Sequence, residues 1–493
     1  MSDADGLDAG QLRNRNYFRA ETGMKILRYG LILLAFGYPT QAWAKSASDY
    51  FPICSAPGAG SGRTLTVDPS SPRPGSYSDI ASALKAAKPG DTISLMSGDY
   101  GELKLSGMNQ SGFITIAAAP GQTPRFSKLS IGGYRPASHW RISGLTVSGF
   151  SNYGLYPNGW TMHKPLVTIG NSDNIIFERS TVQSQAGEYT WQPEIPGTAS
   201  PTAVSQGVFA TQSSCMSIVE NKFSNVWSGV ETGGDQVGNN GKYILVSGNI
   251  IDNYAGDGID HYASHIRIEG NRITNGHNFC DNKCVHNDGI QGWNFNNRPG
   301  LLNTDIIISG NEIVGQTVPN LPLPADALQG ITIFNGNWDG VHILNNVVVV
   351  NAWHGITVYG ARNVSITNNT VAPQNPSRNT WITYGPAKDA PPAAPGSVII
   401  RNNVARNINT GKNDPAQIGA VLDHNLTVRS ANDFSDIFVK FDLNHFAFDL
   451  HPSLHSDTRG EGTSDGAPST DIEGNPRGSK VDIGAYAYKE SQR

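Results

Sequence analysis

The sequence has few charged residues and no excess of basic ones. Asp, Glu, Lys and Arg together make up 16% of the 493 residues, and the formal net charge is −5. Proteins that bind nucleic acids normally carry a basic balance, so the charge argues against that class of partner. Disordered chains combine low hydrophobicity with high net charge, whereas 38% of these residues are hydrophobic. The composition therefore predicts a folded protein.

Glycine and asparagine are the residues in excess. Glycine contributes 55 residues, about 11% against an average of ~7%, and asparagine contributes 43. Coiled coils and helical solenoids are instead rich in Ala, Glu, Lys and Leu, so this composition argues against both folds. Many turns and a β-rich fold are expected. The length alone would suggest two to four domains, but a repeat architecture makes such a division meaningless.

A secretory signal is predicted between residues 24 and 44. Lys25 and Arg28 form a basic region, a short apolar stretch follows at residues 29–36, and Ala42-Trp43-Ala44 fits a cleavage site. The apolar stretch is too short to span the ~30 Å hydrocarbon core of a membrane. We therefore expect a secreted or periplasmic protein with no stable membrane insertion after the signal is removed. The polar residues 1–23 leave open whether Met1 or Met24 is the initiator.

The four cysteines are Cys54, Cys215, Cys280 and Cys284. In an exported protein the close pair Cys280 and Cys284 predicts a loop closed by a disulfide bond. The alternative is a metal site that adds His277 and His286, but zinc sites usually space their cysteines more tightly and pair two such knuckles. The sequence does not decide whether Cys54 pairs with Cys215.

A short apolar–polar alternation that ends in asparagine recurs along the middle of the chain. Each copy has the two-residue period of a strand and ends at a residue that tolerates a left-handed backbone. The intervals between copies vary from the low twenties to about forty residues, which suits a solenoid whose coils carry loops of different length. The copies end at Asn221, Asn249, Asn271, Asn311, Asn346, Asn369 and Asn403.

A second strand motif, in which glycine precedes an apolar residue, follows most of these asparagines. Two or three short strands per coil with asparagine at the turn predict an all-β fold, a single-stranded right-handed parallel β-helix. Asparagines in register would then hydrogen-bond from coil to coil as a ladder. The motif occurs at residues 228–231, 257–260, 288–291, 329–332 and 354–357.

The two ends of the chain carry a resemblance to a known superfamily. A helical pattern at residues 78–88 is stopped by Pro89-Gly90, and a strand begins at Asp91. This run resembles the entry of pectate-lyase-like β-helix proteins, in which a helix caps the open end of the solenoid. The segments 471–477 and 482–486 resemble the closing part of the same superfamily. We accordingly expect a leader (1–44), an N-terminal segment with its capping helix (45–90), the β-helix (91–430) and a closing segment (431–493).

Stacking of the second motif predicts a cluster of acidic side chains. Neighbouring coils lie ~4.8 Å apart, so residues at one motif position form a column. Glu231, Asp257, Asp260 and Asp288 would thus meet within three successive coils, where like charges raise one another's pKa or hold a cation. The competing interpretation is that these residues are turn elements or a structural ladder. The same columns contain Gln291, Gln329 and His354.

Two narrower resemblances bear on this cluster. Asp257-Gly258-Ile259-Asp260 and His354-Gly355-Ile356 are similar to parts of the polygalacturonase-type glycosidase pattern, which implies Asp257 and Asp288 as acid/base groups and His354 as their support. Residues 258–261 and 285–293 resemble segments of mannuronan C5-epimerases and related lyases. This sequence lacks the paired aspartates of the first pattern and the proline of the second, and the two resemblances select different residues.

The leading hypothesis is a polysaccharide lyase acting on a uronic-acid polymer by β-elimination. Ca²⁺ on Glu231, Asp257, Asp260 and Asp288 would neutralise the substrate carboxylate, because calcium prefers oxygen ligands. His261 or His286 would be the base, with Lys283 and Arg298 as rivals. A glycoside hydrolase with paired aspartates is the second hypothesis, a C5-epimerase the third, and a non-enzymatic glycan-binding surface protein the fourth. Substrate contacts are expected from Glu231, Lys283, Gln291, Trp293, Arg298 and Gln329, with Trp227, Trp338 and Trp353 either stacking on sugars or lying in the core. The sequence does not define the oligomeric state.

Overall fold

The computed structural model describes most of the chain after residue 45. The described residues are 46–58, 62–149, 154–155, 161–162, 164–186, 205–233, 241–277, 287–293, 301–319, 328–334, 337–385 and 397–490. The predicted signal (24–44) and the predicted Cys280–Cys284 disulfide lie outside them. In the part of the chain that is described, no helix has the length and apolar character needed to cross a membrane.

Short strands make up nearly all of the regular structure. Among the described residues, the α-helices are α1 (Ile80–Ala86) and α2 (Phe434–Ile437), and a 3₁₀ turn covers Ala47–Asp49. The strands of the first half are β1 (Thr64–Val67), β2 (Thr92–Leu95), β3 (Gly98–Asp99), β4 (Glu102–Leu105), β5 (Asn109–Ala118), β6 (Pro124–Phe126), β7 (Lys128–Gly132), β8 (Ser138–Ser143), β9 (Thr146–Ser148), β10 (Gly154–Leu155), β11 (Thr161–Met162), β12 (Pro165–Gly170), β13 (Asp173–Glu178), β14 (Thr181–Gln183), β15 (Gln206–Thr211), β16 (Ser214–Val219), β17 (Lys222–Val226), β18 (Val230–Gly233), β19 (Lys242–Ser247) and β20 (Ile250–Tyr254). Those of the second half are β21 (Ile259–His261), β22 (Ser264–Glu269), β23 (Arg272–Gly276), β24 (Asn287–Gly292), β25 (Asn303–Ser309), β26 (Glu312–Val314), β27 (Leu328–Ile333), β28 (Trp338–Leu344), β29 (Val347–Val350), β30 (His354–Tyr359), β31 (Ala361–Thr367), β32 (Thr370–Pro373), β33 (Trp381–Gly385), β34 (Val398–Arg401), β35 (Val404–Ala405), β36 (Asn407–Asn409), β37 (Ala420–Asp423), β38 (Leu426–Thr427), β39 (Phe438–Asp442) and β40 (Ala447–Pro452).

Three long parallel sheets run side by side along the chain, and successive strands visit them in turn. Sheet I has thirteen strands in the order β1-β2-β5-β8-β13-β16-β19-β22-β25-β28-β31-β34-β37. Sheet II has twelve strands, from β3 and β6 to β35 and β38, and sheet III has eleven, from β4 to β36. Each coil therefore contributes one strand to each sheet, which is the architecture of the predicted parallel β-helix.

The interior is filled by columns of aliphatic side chains. In sheet I, for example, Ile244, Ile266, Ile306, Val341 and Val364 pair in register from coil to coil. All five are buried to 1% exposure or less. Burying such a side chain contributes about 1.5–3 kcal/mol. The alternating pattern seen in the sequence is therefore the inside–outside alternation of the sheets.

The predicted asparagine ladder is present. The backbone N–H and the side-chain amide of Asn249 both donate to Oδ1 of Asn271, at 3.0 and 2.9 Å, and Asn271 donates to Asn311 in the same way. One detail differs from the prediction, because the left-handed residue is the one before the ladder asparagine. Gly248 and Gly270 have φ of 64° and 61° there. Glycine relieves the cost of that conformation, which explains part of its excess.

The N-terminal residues 46–58, which we call the strap, lie on the outer face of sheet I. The amide of Ala47 donates to Ser217 Oγ at 2.7 Å, and the rings of Phe51 and Tyr243 are 5.4 Å apart. A disulfide joins Cys54 to Cys215. The pairing that the sequence left open is thus present, and it fastens the strap to strand β16.

A short helix lies near the N-terminal end of the solenoid, and an apolar cluster lies at its C-terminal end. Helix α1 lies inside the predicted 78–88 segment, is capped by Asp79 through the amide of Ser82 at 2.8 Å, and buries Ala83 completely. Its role as a cap stays a prediction. At the other end, Phe434, Phe438 and their neighbours form a second apolar cluster with residues of sheet II.

Candidate active site

The acidic column lies on sheet III, in the register that the motif predicts. Glu231 of β18 pairs with Asp260 of β21, and Asp260 pairs with Gln291 of β24. Asp288 pairs with Gln329 of β27. Because paired residues of a parallel sheet point to the same face, the side chains at each motif position stand above one another. Sheet III therefore brings the predicted acidic residues together on three successive coils.

Asp257, Asp260 and Asp288 form one hydrogen-bonded group. The backbone N–H of Asp288 donates to Oδ1 of Asp257 at 2.7 Å, and the carboxyl groups of Asp257 and Asp260 are hydrogen-bonded to each other. Burial, and then the charges of Asp257, Glu231 and Asp288, raise the pKa of Asp260 well above its usual range. The surroundings of Asp260 therefore favour its protonated form.

Asp288 is completely buried and is held by two neutral donors. Gln291 Nε2 donates to its Oδ2 at 2.7 Å, and Thr332 Oγ1 donates to its Oδ1 at 2.8 Å. Gln291, which the sequence predicts as a substrate contact, thus supports a carboxylate of the site. Gln329 lies beside this group and is only 8% exposed.

Glu231 is the acidic side chain of the preceding coil. Its two carboxylate oxygens accept hydrogen bonds from Tyr262 Oη, at 2.8 Å, and from Gln206 Nε2. Burial raises the pKa of Glu231 despite these donors. Sequence reasoning missed both partners. Gln206-Gly207-Val208 has the same glycine motif as the later coils, which was the available signal for one of them.

His261, a predicted base, lies in the interior of the solenoid. It follows Asp260 directly and therefore points to the opposite face of the strand, into the interior. The ring is fully buried, lies edge-on to Trp338 with centroids 5.6 Å apart, and has no hydrogen-bond partner on either nitrogen. Burial lowers the pKa of His261 to about 3. A side chain in this position does not reach a polymer outside the solenoid, so His261 is not suited to act as the base.

His354 lies on β30, two coils beyond Asp288, which is ~10 Å along the axis. Its Nδ1 is 2.8 Å from Thr357 Oγ1 and 3.4 Å from the indole nitrogen of Trp381. This histidine therefore belongs to an aromatic part of sheet III. Three further predicted residues, Lys283, His286 and Arg298, lie outside the described residues.

The predicted tryptophans divide between the two interpretations. Trp338 is fully buried core. Trp353 is 45% exposed, with the guanidinium of Arg378 4.3 Å from its ring centre. Trp293 is partly exposed and meets Tyr262 edge-on at 6.1 Å.

The predicted calcium ligands are the acidic residues of this same group. Within the described ranges, no three Asp, Glu, His or Cys side chains are arranged to hold a metal ion. The oxygens of Glu231 and Asp288 accept bonds from protein donors, and Asp257 accepts from Asp260 and from the backbone. The calcium site stays a prediction, and the chemistry proposed for the site uses no metal.

A comparison with known families agrees with the architecture. Residues 134–371 match the family described as "right handed beta helix region". The protein is a right-handed parallel β-helix. No curated protein sequence matches this β-helix protein. Similar solved structures include the pectate lyase Pel9A, which is 15% identical to this chain with a TM-score of 0.35. The alignment covers 90% of this chain and 100% of the Pel9A chain.

Two further solved structures are also similar to this chain. The A-module of the Azotobacter vinelandii mannuronan C-5 epimerase AlgE6 is 12% identical with a TM-score of 0.43, covering 71% of this chain and 93% of its own. The Streptococcus pneumoniae surface protein and adhesin PfbA is 13% identical with a TM-score of 0.37, covering 71% and 94%. Such low similarity does not assign an activity, which must be argued from the site itself.

Proposed function

We propose that this β-helix protein is an exported enzyme that hydrolyses a glycosidic bond of a polysaccharide by general acid–base catalysis. The observation that carries the proposal is the unequal state of two carboxyl groups on adjacent coils. Burial and neighbouring charges raise the pKa of Asp260 well above its usual range, whereas both oxygens of Glu231 accept hydrogen bonds. Pairs of carboxyl groups whose environments separate their protonation states are suited to serve as acid and base.

In the proposed reaction, Asp260 donates its proton to the glycosidic oxygen, which leaves as a hydroxyl group. Glu231 removes a proton from the water that attacks the sugar carbon. Its raised pKa favours this role, because a base works best when its pKa lies near the operating pH. Asp257 accepts the hydrogen bond of Asp260 and so positions the acid, and Asp288 is fixed beside it. The proton that Glu231 takes up returns to solvent, and Asp260 is reprotonated.

Hydrolysis suits the described residues better than the β-elimination predicted from the sequence. A uronate substrate brings its own carboxylate, and a lyase must neutralise that charge. Among the described residues of strands β18, β21, β24, β27, β30 and β33 there is no Lys or Arg. To neutralise that carboxylate, a lyase would depend on a calcium ion or on Lys283 or Arg298, which lie just before and just after β24 in the sequence. β-Elimination therefore remains the second candidate.

Export is part of the proposal. The Cys54–Cys215 disulfide is of the kind that forms and persists in oxidising compartments, and it agrees with the predicted signal at residues 24–44. An extracellular or periplasmic location also matches a substrate that is too large to enter the cell.

A product assay separates these chemistries. The purified protein is incubated with a panel of neutral and acidic polysaccharides, and the products are tested for new reducing ends and for ultraviolet absorbance of an unsaturated sugar. We expect reducing ends without absorbance, and no loss of activity with a chelator. Absorbance would show a lyase, and unchanged polymer length with altered uronate composition would show an epimerase.

Substitutions test the assigned roles. Asp260→Asn and Glu231→Gln should each lower kcat by ~10²-fold or more, which is the usual contribution of a general acid or base. Asp339→Asn is the matched control, because Asp339 lies on sheet I and pairs with Arg362 at 3.9 Å. Wild-type turnover in both site variants would refute the proposal and favour a glycan-binding role without catalysis.

A further inference from the structure

A second column on the outer face of sheet III consists of four aromatic rings on successive coils. The preceding residues His261, Gly292, Ile333 and Val358 pair in register from β21 to β30, so the residues after them stand in line as well. Two neighbouring pairs of the column are in ring contact. We call these residues the aromatic column: Tyr262, Trp293, Phe334 and Tyr359.

The column is bounded at both ends by small residues. Gly233 precedes Tyr262 at the same position, and Gly385 pairs with Tyr359. A Cβ atom on Gly233 would lie 2.4 Å from the ring of Tyr262, and one on Gly385 would lie 2.9 Å from the ring of Tyr359. The end rings therefore lie over the neighbouring glycines. In earlier coils the same position holds Gly132, Gly170 and Thr211, so the aromatic side chains begin at the acidic group and extend only towards the C-terminal end.

Tyr262, the first ring, is only 9% exposed, and the later rings are more accessible. Tyr359 is 39% exposed, and Trp293 and Phe334 are partly exposed. Phe334 and Tyr359 stack with their centroids 5.5 Å apart and their planes 24° from parallel, which presents a broad apolar surface. Four rings at the coil spacing of ~4.8 Å extend over roughly 14 Å, about the length of a trisaccharide.

The start of the column ties it to the acidic site. Tyr262 donates to Glu231 at 2.8 Å, so the first ring contacts the group that we assign as the base. The outward residues beside the later rings are neutral. Thr332 and Thr357 occupy the acidic position on the coils of Phe334 and Tyr359. The strands that carry or follow the later rings, β27, β30 and β33, contain no Lys, Arg, Asp or Glu.

We propose that the aromatic column binds consecutive pyranose units of a neutral polysaccharide, which lies along the solenoid axis on the C-terminal side of the bond to be cleaved. The apolar C–H faces of pyranose rings stack on aromatic rings, and the absence of Lys and Arg from the described strands here gives no partner to a uronate. This inference rests on the proposed function, since it places the scissile bond at Asp260 and Glu231. It adds the substrate class and the direction in which the polymer lies.

Binding is measured separately from catalysis, by affinity gel electrophoresis of the full protein in gels containing single neutral or acidic polysaccharides. The variants are Phe334→Leu and Tyr359→Leu, which keep apolar volume but remove the ring. Each should weaken binding by about three- to tenfold, as expected for loss of an aromatic contact. Tyr359→Phe should retain wild-type binding. Tyr134→Leu is the control, because Tyr134 is 99% exposed and follows β7, at the other end of the molecule's sheet III.

Each outcome decides something different. Weaker binding of a neutral polymer by both leucine variants, with Tyr134→Leu unchanged, supports the inference even if no polymer is cleaved, in which case only the proposed hydrolysis fails. Equal retardation of all variants overturns the inference while leaving hydrolysis intact if products form. Retardation by acidic polymers alone, or by none, also overturns it.

Discussion

Replacing one ladder asparagine tests how much the coil-to-coil hydrogen bonds stabilise the solenoid. Asn271 lies fully inside the ladder and makes four side-chain hydrogen bonds. Its Oδ1 accepts from the backbone and side-chain amides of Asn249, and its Nδ2 donates to Val246 O and to Asn311 Oδ1, all at 2.9–3.0 Å. Asn271→Ala removes all four bonds. The partner groups are buried, so water does not replace the hydrogen bonds that they lose.

The magnitude follows from the number of bonds. A neutral intramolecular hydrogen bond contributes about 1 kcal/mol net, and a buried group left without a partner costs about 1–3 kcal/mol. We therefore expect Asn271→Ala to lower the free energy of unfolding by about 4 kcal/mol or more. Asn271→Asp should cost at least as much, because a carboxylate accepts from Asn249 but repels Val246 O and Asn311 Oδ1.

Equilibrium unfolding in urea, followed by far-ultraviolet circular dichroism, measures the effect. Asn109→Ala is the control, since Asn109 is exposed on β5 and outside the ladder. Native-state hydrogen exchange should also show lost protection at the amide of Asn249, which donates to Asn271. If Asn271→Ala changes the unfolding free energy by less than ~1 kcal/mol, like a surface substitution, the ladder does not stabilise the fold as argued.

Two further perturbations test other parts of the structure. Cys54→Ser should lower stability by about 2–4 kcal/mol and make the strap sensitive to limited proteolysis, and a strap as resistant as in the wild type would contradict its fastening by Cys215. Burial lowers the pKa of His261 to about 3 in the folded state, against ~6.5 in the unfolded chain. As the pH falls from about 6.5 towards about 3, the unfolded chain binds a proton at His261 and the folded chain does not. The free energy of unfolding therefore decreases over that range. In His261→Phe this part of the acid sensitivity should disappear from melting temperatures measured between pH 7 and pH 4, and an unchanged slope would show that the ring is not buried as described.

The fold was largely predictable because its signals are local. The two-residue alternation, the recurring turn asparagines and the glycine motif each act within a few residues, and together they imply coils with two or three strands. Register then followed from the motif, which is why Glu231, Asp260 and Gln291 pair as expected. His261 was predicted from its place next to Asp260 in the sequence, and the structure puts it on the inner face because adjacent residues of a strand face opposite sides.

The sequence by itself determined a right-handed β-helix, an asparagine ladder and an acidic column on three coils. Only the tertiary structure decided what depends on contacts between distant segments. Cys54 and Cys215 meet across 161 residues, and Gln206 reaches Glu231 from the preceding coil. Burial by the folded chain raises the pKa of Asp260, since the charged form loses its hydration there. The aromatic column likewise depends on the register of the sheet. Loops of unequal length separate its four residues along the chain, and only strand pairing aligns them.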